Sequence, residues 1–452
     1  MRTTTITSFF LVVELGFPQE RTSWKLEPPL IERTVRVKTL VEAKEAVTRP
    51  GTQVVFDADI DAAGEDGLVL SVNDIVIDGN GKTLANARRG VASEHEVLQR
   101  IEIRNLTLKD CGVGVFMRRD QHLHVHHNTV VGSKSVGMHF ENSFGNHGRF
   151  FEVHDNTVRG GPKGGIVFQD GCTDGRVYDN VCIDGGYGPQ SYANGCLNFD
   201  SNMIRVEIYG NRIEGGTFGL ALRGQNNSGM HSCQIYGNSV SKARKAGIRI
   251  CYETFRNVLR DNTVQDCPVA LYYERAYKVY GNLLDGVTIR NCPLPLLVEG
   301  ATTVPVEGRK PEPFADANVD RLVLKEWKPG APIARISGGV KVHTIADAGP
   351  WYEGAVKVEG DAKVTWASFA HVTVLDSGKP VAGAEVTCEG LKGATGSDGR
   401  VRLGPFSSTE ITQDGSRTIA RSRTLNAAFR DKKAAATFVP DGSPKELTLD
   451  LK

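Results

Sequence analysis

The feature that most constrains this chain is a loose internal repeat between about residues 75 and 299, with a spacing of 22 to 31 residues. Each repeat ends a short apolar strand with two polar residues and then, in most cases, Asn; one repeat places Leu106 in the Asn position. The Asn positions are Asn80, Asn128, Asn156, Asn180, Asn211, Asn238 and Asn262. A period of this size indicates stacked structural units rather than one globular core.

A second strand follows the turn in each repeat, and every other residue in it is apolar. Examples are Met138 with Phe140, Ile166 with Phe168 and Leu197 with Phe199. Alternation with a period of two predicts a strand with one buried face, and we find no helical period in these segments. Two or three short strands per repeat, joined by Gly and Asn turns, predict one coil of a parallel β solenoid. The repeated Asn residues are then expected to stack as a structural ladder.

This pattern resembles the right-handed parallel β-helix superfamily of pectate lyases, polygalacturonases and many surface proteins. The resemblance covers roughly residues 35–300 and implies about nine to ten coils. It implies little about activity, because this architecture carries lyases, hydrolases, epimerases, adhesins and phage fibres. No catalytic motif of the superfamily maps onto particular positions, so the site must be sought among the residues themselves.

The rest of the chain divides into three further segments. We predict a leader with irregular chain at 1–35, the β-helix at 36–300, a connector with short strands at 301–365, and a small β-sandwich at 366–452. A short amphipathic helix from Thr39 to Thr48 would cap the solenoid, whose end strands otherwise lack partners. The last segment resembles the Ig-like module called carboxypeptidase-regulatory-like, which implies a spacer or stabilising partner.

Composition limits the partners. The chain has 54 Lys and Arg against 53 Asp and Glu, which argues against a nucleic-acid partner because such proteins present a strongly basic face. No apolar stretch is long enough for a membrane span. The start of the chain contains a short apolar run interrupted by Glu14, a weak secretion signal, so we expect an extracellular, periplasmic or cell-surface protein. The nine Cys are an odd number without a disulfide pattern and are read as small core residues.

Outward positions of the second strands predict the functional site, because strands of neighbouring coils lie about 4.8 Å apart and one alignment column becomes one surface row. We call this surface the strip. Its first row is Phe116, His139, Val167, Asn198, Ala221, Arg249 and Tyr272, and its second row is Arg118, Glu141, Gln169, Asp200, Arg223, Cys251 and Glu274. Insertions follow Glu141, precede Asp200 and follow Arg223, and would wall a groove in which Tyr187, Tyr192 and Phe144 offer stacking faces to sugar rings.

Two carboxylates on such a platform favour an inverting glycoside hydrolase acting on an acidic or substituted polysaccharide. Glu141 and Asp200 stand two coils apart, near the separation of roughly 6.5–9.5 Å that inverting enzymes use. His139 would tune Glu141, while Gln169, Asn198 and Tyr192 would bind substrate together with Arg118, Arg223 and Arg249. The opposing interpretation is that Asp200 simply pairs with Arg223.

Three alternatives stay open. A polysaccharide lyase would use the arginines to neutralise a uronate carboxylate and His139, a Tyr or an Arg as base. A non-catalytic carbohydrate-binding or adhesion protein, or a purely structural one, would use the same face without chemistry. No cofactor is expected: Ca²⁺ would need clustered carboxylates, whereas Glu141, Asp170 and Asp200 are spread. His124, His126 and His154 suggest a zinc site, but their row continues with Tyr and Arg, which favours a stacked ladder without metal.

Overall fold

The computed structural model describes residues 24–93, 97–142, 148–188, 195–224, 229–276, 279, 281–300, 318–320, 323–325, 330–337, 343–360 and 362–452. The chain divides into two compact units. One contains residues 24–343 with 354–362, and the other contains residues 344–353 with 363–452.

The first unit is a parallel β solenoid with three sheets, as the repeat predicts. The strands of sheet 1 are Arg33–Val37, Thr52–Phe56, Ile75–Asp78, Gln99–Arg104, Gln121–His126, Arg149–His154, Thr173–Tyr178, Ile204–Tyr209, Met230–His231, Gln234–Tyr236, Thr254–Phe255, Val258–Arg260, Leu283–Asp285 and Asn318–Asp320. The strands of sheet 2 are Ile60–Asp61, Thr83–Ala85, Thr107–Lys109, Thr129–Ser133, Thr157–Gly160, Val181–Ile183, Arg212–Glu214, Ser239–Ser241, Thr263–Gln265, Thr288–Arg290 and Val323–Lys325. The strands of sheet 3 are Leu68–Leu70, Arg89–Ser93, Val113–Arg118, Val136–Glu141, Gly164–Gln169, Gly195–Asp200, Phe218–Arg223, Ala246–Cys251, Val269–Ala276, Leu294–Gly300, Ala334–Ser337 and Val356–Glu359.

The coil stack is longer than the repeat predicts. Sheet 2 alone has 11 strands among the described residues, against the nine to ten coils expected. Strands Asn318–Asp320 and Val323–Lys325 continue sheets 1 and 2, and Ala334–Ser337 with Val356–Glu359 continue sheet 3, all within the segment predicted as a connector. At the other end, strand Arg33–Val37 begins inside the predicted leader. These terminal coils lack the Asn residue on which the repeat was recognised.

The Asn ladder is confirmed from Asn128 to Asn262. In each of its five steps the Nδ2 atom of one Asn donates to the Oδ1 atom of the next at 2.9 to 3.0 Å, and all six side chains are buried. The assignment of Asn80 to this position was wrong: Asn80 is exposed, while Gly79 approaches Leu106 of the next coil so closely that a side chain there would collide.

Apolar side chains of sheet 3 form part of the solenoid core. Phe140, Phe168 and Phe199 stack with ring centroids 4.7 and 5.1 Å apart, and all three are buried. Stacking of like residues one coil apart is what the alternation predicts. All nine Cys are buried and none forms a disulfide bond, as expected for small core residues.

The capping helix is present at Leu40–Ala46, within the predicted 39–48. Thr39 and Glu42 form a capping box, and Ala43 and Ala46 are buried beneath the helix. No helix in the described ranges has the length and apolarity that crossing a membrane requires.

The second unit is a small β-sandwich. Its strands are Val364–Asp376, Lys379–Pro380, Glu385–Cys388, Leu391–Ala394, Arg400–Thr412, Gly415–Thr418, Arg423–Phe429, Lys432–Phe438 and Lys445–Leu451, and a further strand spans His343–Ala346. Residues from both of its sheets, among them Val372, Leu403, Val386 and Leu425, share one buried core. Strand Val364–Asp376 starts two residues before the predicted boundary at 366; the resemblance to the carboxypeptidase-regulatory-like module stays a prediction.

Candidate functional site

The parallel register of sheet 3 assembles both rows of the strip as the sequence predicts. Phe116 pairs with His139, and the row continues through Val167, Asn198, Ala221 and Arg249 to Tyr272. The second row runs from Arg118 through Glu141, Gln169, Asp200, Arg223 and Cys251 to Glu274. Glu141 and Asp200 are therefore two coils apart, with Gln169 between them.

Each arginine proposed to bind substrate is paired with a carboxylate. Arg118 contacts Glu141 at 3.1 Å, and Arg223 contacts Asp200 at 3.1 Å. Arg249 forms an ion pair with Glu274, and its guanidinium lies 4.5 Å from the centre of the Phe218 ring. The contact between Asp200 and Arg223 that the opposing interpretation predicts is therefore present.

The strip is not the evenly exposed platform that the sequence suggested. Asn198, Asp200 and Arg249 are buried, with exposed fractions of 1%, 3% and 9%. His139, Glu141 and Gln169 are half-buried and form the accessible end. Alternation alone cannot distinguish an outward side chain in water from one covered by neighbours, and here ion pairs and an aromatic ring surround the outward arginines.

His139 lies at the accessible end of the strip and is itself half-buried. Its Nε2 atom lies 3.3 Å from Oε1 of Gln169. Burial lowers the pKa of His139, although the nearby charge of Glu141 acts in the opposite direction. The imidazole is therefore neutral near pH 7 and able to accept a proton.

Burial raises the pKa of two carboxyls beside the strip. The pKa of Asp200 is raised by burial, against the charge of Arg223, and the pKa of Asp170 is raised by burial and by the charge of Glu141. The alternation of the strand does not predict Asp170 as a site residue. It follows Gln169 at the strand end and has a positive φ of 58°, so its proximity to this cluster depends on a turn that alternation does not describe.

Asn198 is the one predicted substrate ligand whose polar atoms have no protein partner in the part of the chain that the structure describes. Both Nδ2 and Oδ1 of Asn198 are buried without a hydrogen bond to a described residue. Buried amides are normally hydrogen-bonded, so both polar atoms of Asn198 can form a hydrogen bond with a ligand or with water.

The predicted walls of the groove lie partly outside the described residues. Tyr192 and Phe144 fall there, as do 143–147, 189–194 and 225–228 of the three insertions. Tyr187 is described: it is 42% exposed, and the guanidinium of Arg244 lies 5.2 Å from its ring centre.

The outer face of sheet 1 carries the stacked ladder that the sequence predicts. His126, His154, Tyr178, Tyr209 and Tyr236 stack in order with ring centroids 5.1, 4.5, 4.9 and 4.9 Å apart. The guanidinium of Arg260 closes the row, 5.1 Å from the centre of the Tyr236 ring.

These features define a right-handed parallel β-helix with a polar face on one sheet. The family described as "Right handed beta helix region" matches residues 47–204 and 201–294, over half of the chain, and the protein therefore belongs to that family. No curated protein matches the sequence.

Solved structures similar to this chain share its architecture at low identity. An alginate lyase from Paenibacillus sp. str. FPU-7 is 12% identical with a TM-score of 0.41, and covers 68% of this chain and 99% of its own. The A-module of a mannuronan C-5 epimerase from Azotobacter vinelandii is 12% identical with a TM-score of 0.42, covering 66% and 96%. The Dettilon tailspike protein (gp208) is 11% identical with a TM-score of 0.43, covering 89% and 74%. With identities and scores this low, these likenesses carry no argument about what the chain does.

Proposed function

We propose that this protein is a carbohydrate-active enzyme that hydrolyses a glycosidic bond of a polysaccharide on the strip, with inversion at the anomeric carbon. The observation that carries the proposal is a pair of carboxyls in different surroundings. Asp200 is buried with a raised pKa, which suits a general acid, while Glu141 is half-buried at the accessible end and suits a general base.

The spacing of the two carboxyls supports inversion. Two parallel strand spacings separate their backbones by about 9–10 Å, close to the upper end of the range in which a water fits between substrate and base. His139 would position Glu141 and the water through its neutral imidazole. Asn198, with both amide atoms unmatched among the described residues, would bind a sugar hydroxyl.

Hydrolysis accounts for the arginines better than β-elimination does. A lyase must neutralise the carboxylate of a uronic acid, and Arg118, Arg223 and Arg249 all contact protein carboxylates instead. A lyase activity and non-catalytic glycan binding remain alternative predictions, and one experiment distinguishes them from hydrolysis. An extracellular location also remains a prediction.

The test is to incubate the full chain with a panel of neutral, acidic and sulfated polysaccharides. New reducing ends without the ultraviolet absorbance of unsaturated sugars would indicate hydrolysis. An increase in that absorbance would indicate β-elimination. Retention of the protein on a glycan affinity gel without either product would indicate binding alone. Glu141→Gln and Asp200→Asn should each lower kcat by about 100-fold or more, as expected for loss of an acid or a base.

Glu214→Gln is the matched control, because Glu214 lies on sheet 2 and pairs with Lys242 at 2.8 Å. It should retain full activity. Full activity in both Glu141→Gln and Asp200→Asn would contradict the assignment of these residues, and absence of any product or glycan retention would contradict the proposed function.

A further inference from the structure

Three imidazoles converge on the outer face of sheet 1, away from the strip. His124 and His126 lie on strand Gln121–His126, and His154 pairs with His126 from the next coil. One ring nitrogen from each of the three lies within 4.8 Å of the others, and Nε2 of His124 is 2.8 Å from Nε2 of His154. We propose that His124, His126 and His154 bind one divalent transition-metal ion, with zinc as the ion of first choice.

The ladder alone does not explain this cluster. Stacking along the row accounts for the rings of His126 and His154, which are parallel to within 5°. His124 lies two residues earlier on its strand, outside that row, and its ring is tilted by 36° to that of His154. Its Nε2 atom nevertheless meets the Nε2 atom of His154, an arrangement that stacking does not require.

His154 has the surroundings of a metal ligand. Its Nδ1 atom lies 2.7 Å from Oδ2 of Asp155, which as a carboxylate accepts a hydrogen bond. With a proton held on Nδ1 by Asp155, Nε2 of His154 presents its lone pair towards Nε2 of His124. A carboxylate that orients a histidine in this way is the usual second partner of a metal-binding imidazole.

His124 and His154 face each other nitrogen to nitrogen, with their Nε2 atoms 2.8 Å apart. Between two neutral imidazoles whose Nε2 atoms are 2.8 Å apart, a single proton bridges the nitrogens. A metal ion would replace this hydrogen bond with two coordinate bonds of about 2.0–2.1 Å, once His124 carries its proton on Nδ1.

His126 is the third imidazole of the cluster, and each of its ring nitrogens lies close to a neighbouring side chain. Its Nδ1 atom lies 2.7 Å from Nδ1 of His127, and its Nε2 atom lies 3.2 Å from Oε1 of Glu102. Glu102 places a negative charge beside the cluster, and it also pairs with Arg104, whose own charge is shared with Asp78. Three imidazole nitrogens next to a carboxylate suit zinc, copper or nickel better than calcium or magnesium.

The test measures metal binding to the full, metal-stripped chain by isothermal titration with Zn²⁺. The expected result is one ion per chain. His124→Gln and His154→Gln should weaken the affinity by about 100-fold, and Asp155→Asn by about tenfold, because removing an orienting partner typically costs 10 to 100-fold. His231→Gln is the control, since His231 is on the same sheet but stacks on Phe255 instead; its affinity should be unchanged.

A second measurement does not depend on any variant. Titration with Co²⁺ should give the strong visible absorption of a tetrahedral ion with nitrogen ligands, and Zn²⁺ should displace it. Thermal unfolding of each stripped variant checks that its fold is retained. Absence of a Co²⁺ band together with absence of Zn²⁺ uptake, or equal losses in His231→Gln and His154→Gln, would overturn the proposal.

Discussion

At the scale of single residues, burial outweighs ion pairing in setting the pKa of Asp200. Arg223 contacts Asp200 at 3.1 Å, an arrangement that by itself would lower the pKa of the carboxyl. The pKa of Asp200 is raised nonetheless, because burial is the larger effect. Because burial and not the arginine decides the direction of this shift, the contact with Arg223 does not exclude the acid role that we propose.

Asp120 gives a residue-scale prediction that is independent of the proposed function. Asp120 is buried, and its Oδ2 atom accepts a hydrogen bond of 2.7 Å from Oγ of Ser93. Burial raises the pKa of Asp120 to about 8. The folded protein holds this proton while the unfolded chain, with a pKa near 3.8, releases it. The contribution of Asp120 to stability is therefore full below about pH 4 and is lost as the pH rises towards 8.

Asp120→Asn should remove this loss, because the amide imitates the protonated acid at every pH. We expect the free energy of unfolding of the variant to exceed that of the parent by on the order of 4 kcal/mol at pH 7, and the difference to shrink towards pH 4. Urea unfolding from pH 4 to 8 measures both. A difference that is independent of pH would show that Asp120 is ionised in the folded state.

At the scale of the secondary-structure elements, the Asn ladder ties each turn to the next. Asn180 Nδ2 donates to the carbonyl oxygens of Val153 and Tyr178 and to Oδ1 of Asn211, while its own Oδ1 accepts from Asn156. Asn180→Ala leaves several buried groups without partners and should cost about 3 kcal/mol. The measurement is chemical unfolding of the solenoid.

Ser239→Ala is the control for Asn180→Ala, because Ser239 is exposed on a strand of sheet 2. It should change the free energy of unfolding by less than about 0.5 kcal/mol. Similar losses in the two variants would mean that the ladder does not stabilise the turns beyond an ordinary polar surface residue.

The elements also show how far the sequence predicts this structure. Register was predictable, because alternation fixes which residues of each strand face the core, and every row of the strip follows from it. The burial of Asn198 and Asp200 was not predictable, since it depends on the side chains around each position, which alternation does not specify. The position of Asp170 beside the cluster was not predicted, because Asp170 is a left-handed turn residue and the strand pattern does not describe the turn.

At the scale of the whole molecule, the number of coils exceeds what the repeat shows. The repeated Asn marks only the coils that contain the Asn ladder. Backbone pairing extends the solenoid beyond them at both ends, where the sequence shows little of the repeat. Terminal coils of a solenoid contact one neighbour instead of two, so they are under different packing constraints from the middle ones.

The capping helix protects one of those ends. Ala43 is completely buried, while Val41 on the same helix is 75% exposed. Ala43→Asp should displace the helix and uncover strand edges, which pair readily with other chains. We expect oligomers that increase with protein concentration, measured by light scattering after size exclusion; Val41→Asp should stay like the parent. A monodisperse Ala43→Asp variant would show that the helix is dispensable as a cap.

The tyrosines of sheet 1 have an optical consequence. Tyr178, Tyr209 and Tyr236 are spaced 4.9 Å apart with ring planes within 6° of parallel. Phenol transitions held this close and this well aligned couple as excitons, so the ultraviolet absorption of these tyrosines should differ in energy and strength from that of separated rings. The difference would disappear when the coils separate, and it would therefore report optically on the stacking of these three coils.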